Sequence, residues 1–149
     1  MIIHGIRVNE ISDGVSIAAH SGTAFNPVVD QCIARVTSKG KLRGGVVYSG
    51  YTGQGGSIGM HVVGFDPLWI NRDMLWMAFD YPFNQLGVKK VFGQVPASNQ
   101  KALHFDLALG FKVEALVQDV FPDGDMILVA MYRDECRHLR IVPRATTKG

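Results

Sequence analysis

Cysteine is scarce in this chain of 149 residues, which contains only Cys32 and Cys136. Two thiols that lie so far apart in the sequence indicate no disulfide framework, no CxxC redox pair and no zinc knuckle. The five histidines are scattered without paired carboxylates, so neither a Ser/His/Asp constellation nor a set of metal ligands stands out. The sequence therefore predicts neither a metal site nor a disulfide-stabilised secreted domain.

Long apolar runs are also missing. No stretch approaches the roughly 20 apolar residues of a membrane-spanning helix. The beginning of the chain, MIIHGIRVNE, lacks the basic and apolar regions of a signal peptide. From these two features we expect a cytoplasmic protein without a membrane partner. An apolar content of 47% is sufficient for one hydrophobic core without metal or disulfide support.

Excess charge is small, with a formal net charge of +2, and its distribution is uneven. Residues 133–149 contain five basic and two acidic side chains, an excess of +3, which leaves about −1 for residues 1–132. A body of that charge offers no general surface for nucleic acid, so we do not expect nucleic acid as a partner. We expect a single domain in residues 1–132, followed by a basic C-terminal tail in residues 133–149 that is solvated and partly disordered.

The spacing of apolar residues changes along the first half of the chain and predicts the order of its elements. A first strand is expected in residues 2–8. Any helix in residues 9–29 is short, because two glycines and a proline interrupt that segment. Turn-forming residues then divide residues 31–64 into three successive antiparallel strands.

The second half of the chain predicts two helices that alternate with strands. Asn71 is a candidate N-cap for a helix that runs to Gly87, with a kink or break at Pro82. A strand follows in residues 88–95 and a second helix in residues 98–109, and a long hairpin with an Asp-Gly turn comes last. This order predicts an α+β, or mixed α/β, fold with a single central sheet that is mostly antiparallel.

One composite pattern in residues 86–114, LGVKKVFGQVPASNQKALHFDLALGFKVE, points to a family. It contains a strand, an N-x-x-A helix start at Asn99 and Ala102, and a terminal L-G-F at Gly110 and its neighbours. In order and spacing the chain resembles the GNAT-type N-acyltransferase superfamily over about residues 31–132. A few details also resemble short acyltransferase-like proteins of bacteriophages.

The resemblance implies acetyl transfer from acetyl-CoA to an amine, on a sheet that carries a V-shaped splay between two strands. The splay would lie between the strand that ends near residues 61–64 and the strand in residues 88–95. Unpaired peptide groups there could bind the amide-rich pantetheine arm, and Gly59 and Gly64 would permit a bulge. Asn99 would lie near the coenzyme arm, or would be a simple helix N-cap. The implied cofactor-binding residues are Met60, Val62, Val63, Asn71, Arg72 and Asn99.

The segment that should hold the coenzyme phosphates departs from the family pattern. Relatives have a glycine-rich turn there, whose peptide N–H groups bind phosphate at a helix N-terminus. Here residues 64–74, GFDPLWINRDM, contain no glycine after Gly64. Asp73 would repel a phosphate, and Arg72 beside it could offset that repulsion.

The residue at the position of the family's catalytic acid also differs from the family pattern. Many relatives have a tyrosine four residues before the glycine of L-G-F, and this chain has Asp106 there. With a pKa near 4, an aspartate is ionised at neutral pH and donates a proton only if desolvation raises its pKa. His104 lies about 200° away around the helix. We expect Leu103, Leu107 and Gly110 to form the core stripe, and His104 and Asp106 to be exposed.

A general base for the amine is sought along the strands that flank the splay. His61 lies on one of them and has an ordinary pKa near 6.5, which suits proton transfer at neutral pH. Its alternative is a strand histidine satisfied by a neighbouring carbonyl group. Tyr51 and Tyr48 are further candidates, and His20 lies in the region that shapes the acceptor pocket in relatives.

Three functions remain open from the sequence. The first is an acetyl-CoA-dependent N-acetyltransferase acting on a small-molecule or protein amine, with His61, Tyr51 and Asp106 as candidate catalytic residues. The second is a non-catalytic binding or structural protein on the same fold, which the missing glycines and tyrosine favour. The third is an acyltransferase-like enzyme that modifies DNA bases, for which the basic tail is the only support. A homodimer is compatible with each of them.

Overall fold

Seven strands form one sheet in the computed structural model, which describes residues 2–146. The strands are β2 (Ile6–Val8), β3 (Gln31–Val36), β4 (Leu42–Ser49), β5 (Ser57–Gly64), β6 (Lys90–Pro96), β7 (Lys112–Phe121) and β8 (Gly124–Tyr132). Their order in the sheet is β2-β3-β4-β5-β6-β8-β7, and every neighbouring pair is antiparallel except β5 and β6. The prediction of a mixed α/β fold with one mostly antiparallel sheet is confirmed.

A second, two-stranded pair joins the two ends of the described chain. β1 (Ile2–Ile3) pairs with β9 (Ala145–Thr146) in antiparallel orientation. The single strand expected in residues 2–8 is therefore divided in two. Gly5 lies at the division with a φ of +79°, which turns the chain away from the main sheet.

In the part of the chain that the structure describes, three α-helices cover the sheet, and predicted caps mark the starts of two of them. They are α1 (Ile11–His20), α2 (Arg72–Asp80) and α3 (Gln100–Leu109). The side-chain oxygen of Asn71 accepts from the Met74 N–H at 2.8 Å, and that of Asn99 accepts from the Ala102 N–H at 3.1 Å. Gly110 ends α3 with a φ of +110°. Within residues 2–146 no helix has the length and apolar character of a membrane span.

The predicted break at Pro82 is a widened helical turn. Residues Tyr81–Gln85 continue α2 as a π-helix, and the Leu86 N–H donates to the Tyr81 carbonyl at 3.0 Å. A five-residue turn of this kind accommodates the proline ring, which lacks an N–H and clashes with the carbonyl of a regular α-turn. The helix therefore changes its pitch at Pro82 and continues without a break.

The two faces of the sheet carry different cores. On the face that we call the α1 face, Ile17 of α1 packs with Val47 and Val63 in a small cluster. On the opposite face, the α2–α3 face, a larger core surrounds α2 and the side chains of Tyr48 and Phe79. The Tyr48 hydroxyl is fully buried there and donates to the Ala78 carbonyl at 2.6 Å. That hydrogen bond removes Tyr48 from the candidate bases.

The predicted core stripe of α3 is confirmed at Leu103, which packs against the larger core, and is wrong at Leu107. Leu107 is 40% exposed, whereas Leu109 is buried and Phe105 packs against the larger core. Positions 107 and 109 lie about 200° apart around a helix, so burying Leu109 turns Leu107 to the solvent. The same rotation brings Asp106 to the inner side of α3.

The expectation of a solvated, partly disordered tail is contradicted at two positions of the last segment. Cys136 and His138 are buried. A ring nitrogen of His138, Nε2, lies 2.7 Å from the Leu109 carbonyl oxygen at the end of α3, and its ring stacks on Phe79 at 4.8 Å. Burial lowers the pKa of His138, which favours a neutral ring at this position. The division of the chain at residue 132 stays a prediction, and residues 147–149 lie outside the described residues.

Candidate functional site

The parallel pair of β5 and β6 opens into a fork. The ladder between β5 and β6 begins at Ser57 and Lys90 and ends at Gly59 and Phe92. Beyond that pair, β5 stays hydrogen-bonded to β4 and β6 stays hydrogen-bonded to β8, so β5 and β6 move apart. The gap between residues 60–64 of β5 and residues 93–96 of β6, which we call the slot, is the V-shaped splay predicted from the sequence.

The direction of the peptide groups along β5 decides which of them face the slot. The Phe65 N–H donates to the Arg43 carbonyl and the Ser57 carbonyl accepts from Thr52, so odd-numbered positions face β4. Because peptide groups alternate along a strand, Met60 and Val62 face the slot. The peptide groups of Val63 face β4, and its side chain is buried on the α1 face. Val63 therefore does not line the slot, contrary to the expectation from the sequence.

A small cavity of about 130 Å³ lies at the fork on the α1 face. We call it the fork pocket, and it is lined by Ser49, Gly50, Gly59, Met60, His61, Phe92 and Gln94. His61 lies at one side, with its Nε2 atom 3.3 Å from the Ser49 hydroxyl oxygen. Sequence reasoning found His61 but missed Ser49, Phe92 and Gln94. The signal that could have found them is the strand register, which sets Ser49 beside Gly59 and Gly59 beside Phe92.

The environment of His61 favours its neutral form. Burial lowers the pKa of the ring, and the negative charge of Asp30 partly opposes that effect. A neutral imidazole has one nitrogen free to accept a proton. His61 is therefore a competent base at neutral pH, with Ser49 as its hydrogen-bonding neighbour.

Asp106 lies over the slot from the opposite face. A methyl group added at Gly93 would lie 3.7 Å from the Asp106 carboxylate oxygen and 3.8 Å from the Met60 carbonyl oxygen. The expectation that Asp106 is exposed is therefore wrong, whereas His104 is exposed as predicted. Burial raises the pKa of Asp106 to about 6, so an appreciable fraction of this carboxyl is protonated near neutral pH.

His61 and Asp106 do not touch, because they approach the slot from opposite faces of the sheet. His61 shares the α1 face with its register partner Val47, and Asp106 approaches through α3. A group held in the slot would have a base on one side and a partly protonated acid on the other. This arrangement suits a reaction in which one proton leaves and another is delivered at the opposite end of the reacting group.

Two aromatic side chains close the wide end of the slot on the α2–α3 face. Trp69 is 5% exposed and packs on the strands where Gly44 and Gly64 lack side chains. Its ring centroid lies 6.4 Å from that of Phe105 on α3. We call this contact the aromatic entrance.

The two glycines of β5 do not form the expected bulge. The pairing of β4 with β5 runs in register from Ser49 and Gly59 to Gly44 and Gly64 without a shift. A methyl group at Gly64 would lie 2.2 Å from the Trp69 ring nitrogen, too close for any real contact. The absence of a side chain at Gly64 therefore makes room for Trp69 and does not bend the strand.

Replacing Gly64 by alanine is expected to destabilise the protein by about 1–3 kcal/mol, because Trp69 must leave its packed position. The measurement is the free energy of unfolding in urea. Gly59→Ala is the matched control, since its added methyl meets its nearest atom, the Ser49 carbonyl oxygen, at 3.2 Å. An equal or smaller loss for Gly64→Ala than for Gly59→Ala would contradict this account of Trp69.

The start of α2 contains the other predicted cofactor residues. Asn71 is engaged as the helix cap, and Arg72 is exposed beside it. Asp73 is buried, accepts from the Arg144 backbone N–H at 2.8 Å and lies 3.6 Å from the Arg144 guanidinium. The C-terminal segment thus partly balances the charge of Asp73. Asn99 caps α3, which is the second of the two roles that the sequence allowed for it.

The remaining candidates lie outside the fork pocket. Tyr51 is 44% exposed, and its hydroxyl donates to the Leu86 carbonyl at 2.9 Å. His20 ends α1 and meets the Phe65 ring edge-on at 4.7 Å. Within residues 2–146 no group of three or more side chains is arranged to hold a metal ion.

A mixed sheet whose one parallel pair splays apart is the architecture that the family resemblance implies. Comparison with solved structures agrees. A point variant of the spermidine N-acetyltransferase from Vibrio cholerae matches with a TM-score of 0.68 at 17% identity, over 91% of this chain and 97% of that chain. The same organism's spermidine N-acetyltransferase in complex with CoA and spermine matches with a TM-score of 0.61 at 18% identity, over 85% and 76%.

At these identities the likeness shows the fold, and the fold is that of the GNAT-type N-acyltransferases. The resemblance seen in the sequence is thereby confirmed at the level of architecture. Neither a protein-family model nor a curated protein sequence matches the chain.

Proposed function

We propose that this protein is an N-acetyltransferase that transfers an acetyl group from acetyl-CoA to an amine. The observation that carries the proposal is the slot itself, where the strands separate beyond Gly59 and Phe92 with His61 on one face and Asp106 on the other. The likeness to spermidine N-acetyltransferases, one of them solved with CoA and spermine, supports the same chemistry.

The donor would bind through the slot. The Met60 and Val62 peptide groups that face the gap can pair with the amides of a pantetheine arm, as an added strand pairs with a sheet edge. Arg72, exposed at the start of α2, would bind the coenzyme phosphates, and Asn71 and Asn99 cap the two helices beside the slot.

The reaction would use the two faces of the sheet for two proton transfers. The amine enters the fork pocket on the α1 face and attacks the thioester carbonyl held in the slot. A C–N bond forms, the C–S bond breaks, and the proton of the amine passes to neutral His61. The sulfur leaves toward the α2–α3 face, where protonated Asp106 can supply its proton.

The proposal includes a location in the cytoplasm. Cys32 and Cys136 are free and buried, which fits the cytoplasmic location expected from the sequence.

The aromatic entrance favours the second candidate, a binding protein that has lost coenzyme use, because Trp69 fills space beside the slot. The two candidates differ in one property, the binding of acetyl-CoA.

Saturating acetyl-CoA is expected to raise the melting temperature by about 5–10 °C. Ligand at 100 times its Kd stabilises a protein by about 2.7 kcal/mol, and a domain of this size shifts by about 2–4 °C per kcal/mol. Differential scanning fluorimetry measures the shift, and release of free CoA thiol in the presence of amines measures turnover. Absence of a shift at millimolar acetyl-CoA would leave the binding-protein candidate.

Arg72 provides the internal control for this experiment. Arg72→Ala should reduce the shift caused by acetyl-CoA and leave the shift caused by S-acetylpantetheine, which has no phosphate, unchanged. Arg140→Ala, which changes a basic residue of the C-terminal segment, is the matched variant. An equal loss for both donors would remove Arg72 from the phosphate site.

A further inference from the structure

The last turn of α3 takes two of its hydrogen bonds from the C-terminal segment, residues 133–146. Resting on the proposed function, we propose that Arg137 and His138 are positioning residues, which hold this turn and with it Asp106 over the slot. Both residues act through backbone carbonyl groups of α3. A segment whose composition predicts a solvated tail thereby takes part in catalysis.

The end of α3 has four carbonyl groups without partners inside the helix, those of its last four residues. The turn that ends the helix supplies partners for the first two. The Asp106 carbonyl accepts from the Phe111 N–H at 3.1 Å. The Leu107 carbonyl accepts from the Gly110 N–H, also at 3.1 Å. The other two carbonyl groups depend on the C-terminal segment.

Arg137 and His138 complete this helix end. The Arg137 guanidinium donates to the Ala108 carbonyl at 2.7 Å. It also lies against the turn at Gly110, where an added methyl group would be 3.0 Å from its Nη1 atom. A ring nitrogen of His138, Nε2, lies 2.7 Å from the Leu109 carbonyl oxygen. Because a carbonyl oxygen only accepts, this nitrogen carries the hydrogen and donates it.

The C-terminal segment is itself fixed to α2, which lies in the larger core. The His138 ring stacks on Phe79 of α2, with ring centroids 4.8 Å apart. At the start of α2, the Asp73 carboxylate accepts from the Arg144 N–H at 2.8 Å. The segment therefore connects a buried helix to α3, in which Leu109 alone is fully buried.

Asp106 lies in the turn that these bonds hold. Its carboxylate approaches the slot beside Gly93, and burial is the cause of its raised pKa of about 6. A last turn without its bonds to the C-terminal segment opens more often and exposes this carboxyl to water. Hydration favours the charged form, so the pKa of Asp106 should fall toward its ordinary 3.8. Less of the acid is then protonated at neutral pH.

Arg137→Ala is the first test. Its matched control is Arg140→Ala, which changes an exposed arginine of the same short helix. NMR titration of the Asp106 carboxyl carbon should show a pKa lower by about one pH unit in Arg137→Ala and unchanged in Arg140→Ala. Loss of a positive charge by itself would raise this pKa, so the sign separates lost position from lost charge. An unchanged or raised pKa in Arg137→Ala would overturn the inference.

Turnover gives a second readout. A pKa lower by about one pH unit reduces the protonated fraction of Asp106 about tenfold at pH 7, so kcat should fall about tenfold in Arg137→Ala. The KM for acetyl-CoA should stay within about threefold of the wild type, because the peptide groups that face the slot lie on β5. A lowered pKa with an unchanged kcat would remove Arg137 from catalysis and overturn the inference.

Two variants of His138 separate its hydrogen bond from its packing. His138→Phe keeps a ring on Phe79 but has no donor for the Leu109 carbonyl, so it should lower the pKa of Asp106 as Arg137→Ala does. His138→Gln retains an N–H donor at a similar distance from the backbone and should keep that pKa near 6. An equal fall in both variants would contradict the role given to the hydrogen bond.

Ile17→Val is the control for a general loss of stability. It removes one carbon from the small cluster on the α1 face and touches no part of α3, so it should lower stability and change neither readout. If no amine is acetylated while the pKa of Asp106 responds as expected, the proposed function fails and the placement of Asp106 by Arg137 and His138 stands. If acetylation occurs and that pKa does not respond, the inference fails by itself.

Discussion

Replacing His61 by glutamine is expected to lower kcat for amine acetylation by about 100-fold or more, within the range that a general base contributes. Glutamine retains a side chain of similar length and can still hydrogen bond to Ser49, but it cannot accept the proton of the amine. Burial lowers the pKa of His61, so the acid limb of the wild-type pH profile should lie below pH 6.5. That limb should disappear in His61→Gln.

The matched control for His61→Gln is His104→Gln, which changes an exposed histidine on α3. Its kcat should stay within about twofold of the wild type, as expected for a surface position with no contact to the slot. Steady-state release of CoA at saturating acetyl-CoA and amine measures both variants. A loss below threefold in His61→Gln would show that water or another group takes the proton.

Asp106→Asn is expected to produce a protein that is more stable and less active. Burial raises the pKa of Asp106 to about 6 from its ordinary 3.8. Because the folded protein binds this proton more tightly than the unfolded chain, stability at this position falls as pH rises from about 4 to 6. The penalty is fully present above pH 6. Asparagine carries no such charge, so Asp106→Asn should gain about 1–3 kcal/mol in urea unfolding at pH 8.

The activity of the same variant follows from the acid role of Asp106. In the wild type the protonated fraction falls about tenfold for each pH unit above 6, so the rate should decline on the alkaline side. In Asp106→Asn the rate should be lower, by about 100-fold at pH 6, and that alkaline decline should be absent. A wild-type rate that rises steadily to pH 9 would assign the acid to another group.

Local signals in the sequence predicted the elements that frame the slot. Asn71 and Asn99 cap the helices that they were expected to cap, and Gly110 ends α3 in the left-handed conformation. Such features depend on a few consecutive residues, since a cap or a turn is decided by the side chain at one position. The order of elements along the chain was predictable for the same reason, whereas the place where β5 and β6 separate was implied by the family resemblance.

What the sequence did not predict depends on rotation and register. Leu107 and Leu109 are equally apolar, and only the packed structure shows that Leu109 is the buried one, a choice that also turns Asp106 toward Gly93. Ser49 became a neighbour of His61 through the pairing of two strands. The packing of His138 on Phe79 joins residues far apart in the chain, so the basic composition of the last segment gave no indication of it.

The aromatic entrance couples two properties that are independent in a slot bordered by glycine. Trp69 and Phe105 belong to different elements, and their contact helps to attach α3 to the body of the protein. Any substitution that widens the passage for a coenzyme also removes apolar contact between these elements. In this protein, easier entry of the donor and a firmly attached α3 are therefore opposing demands on the same two side chains.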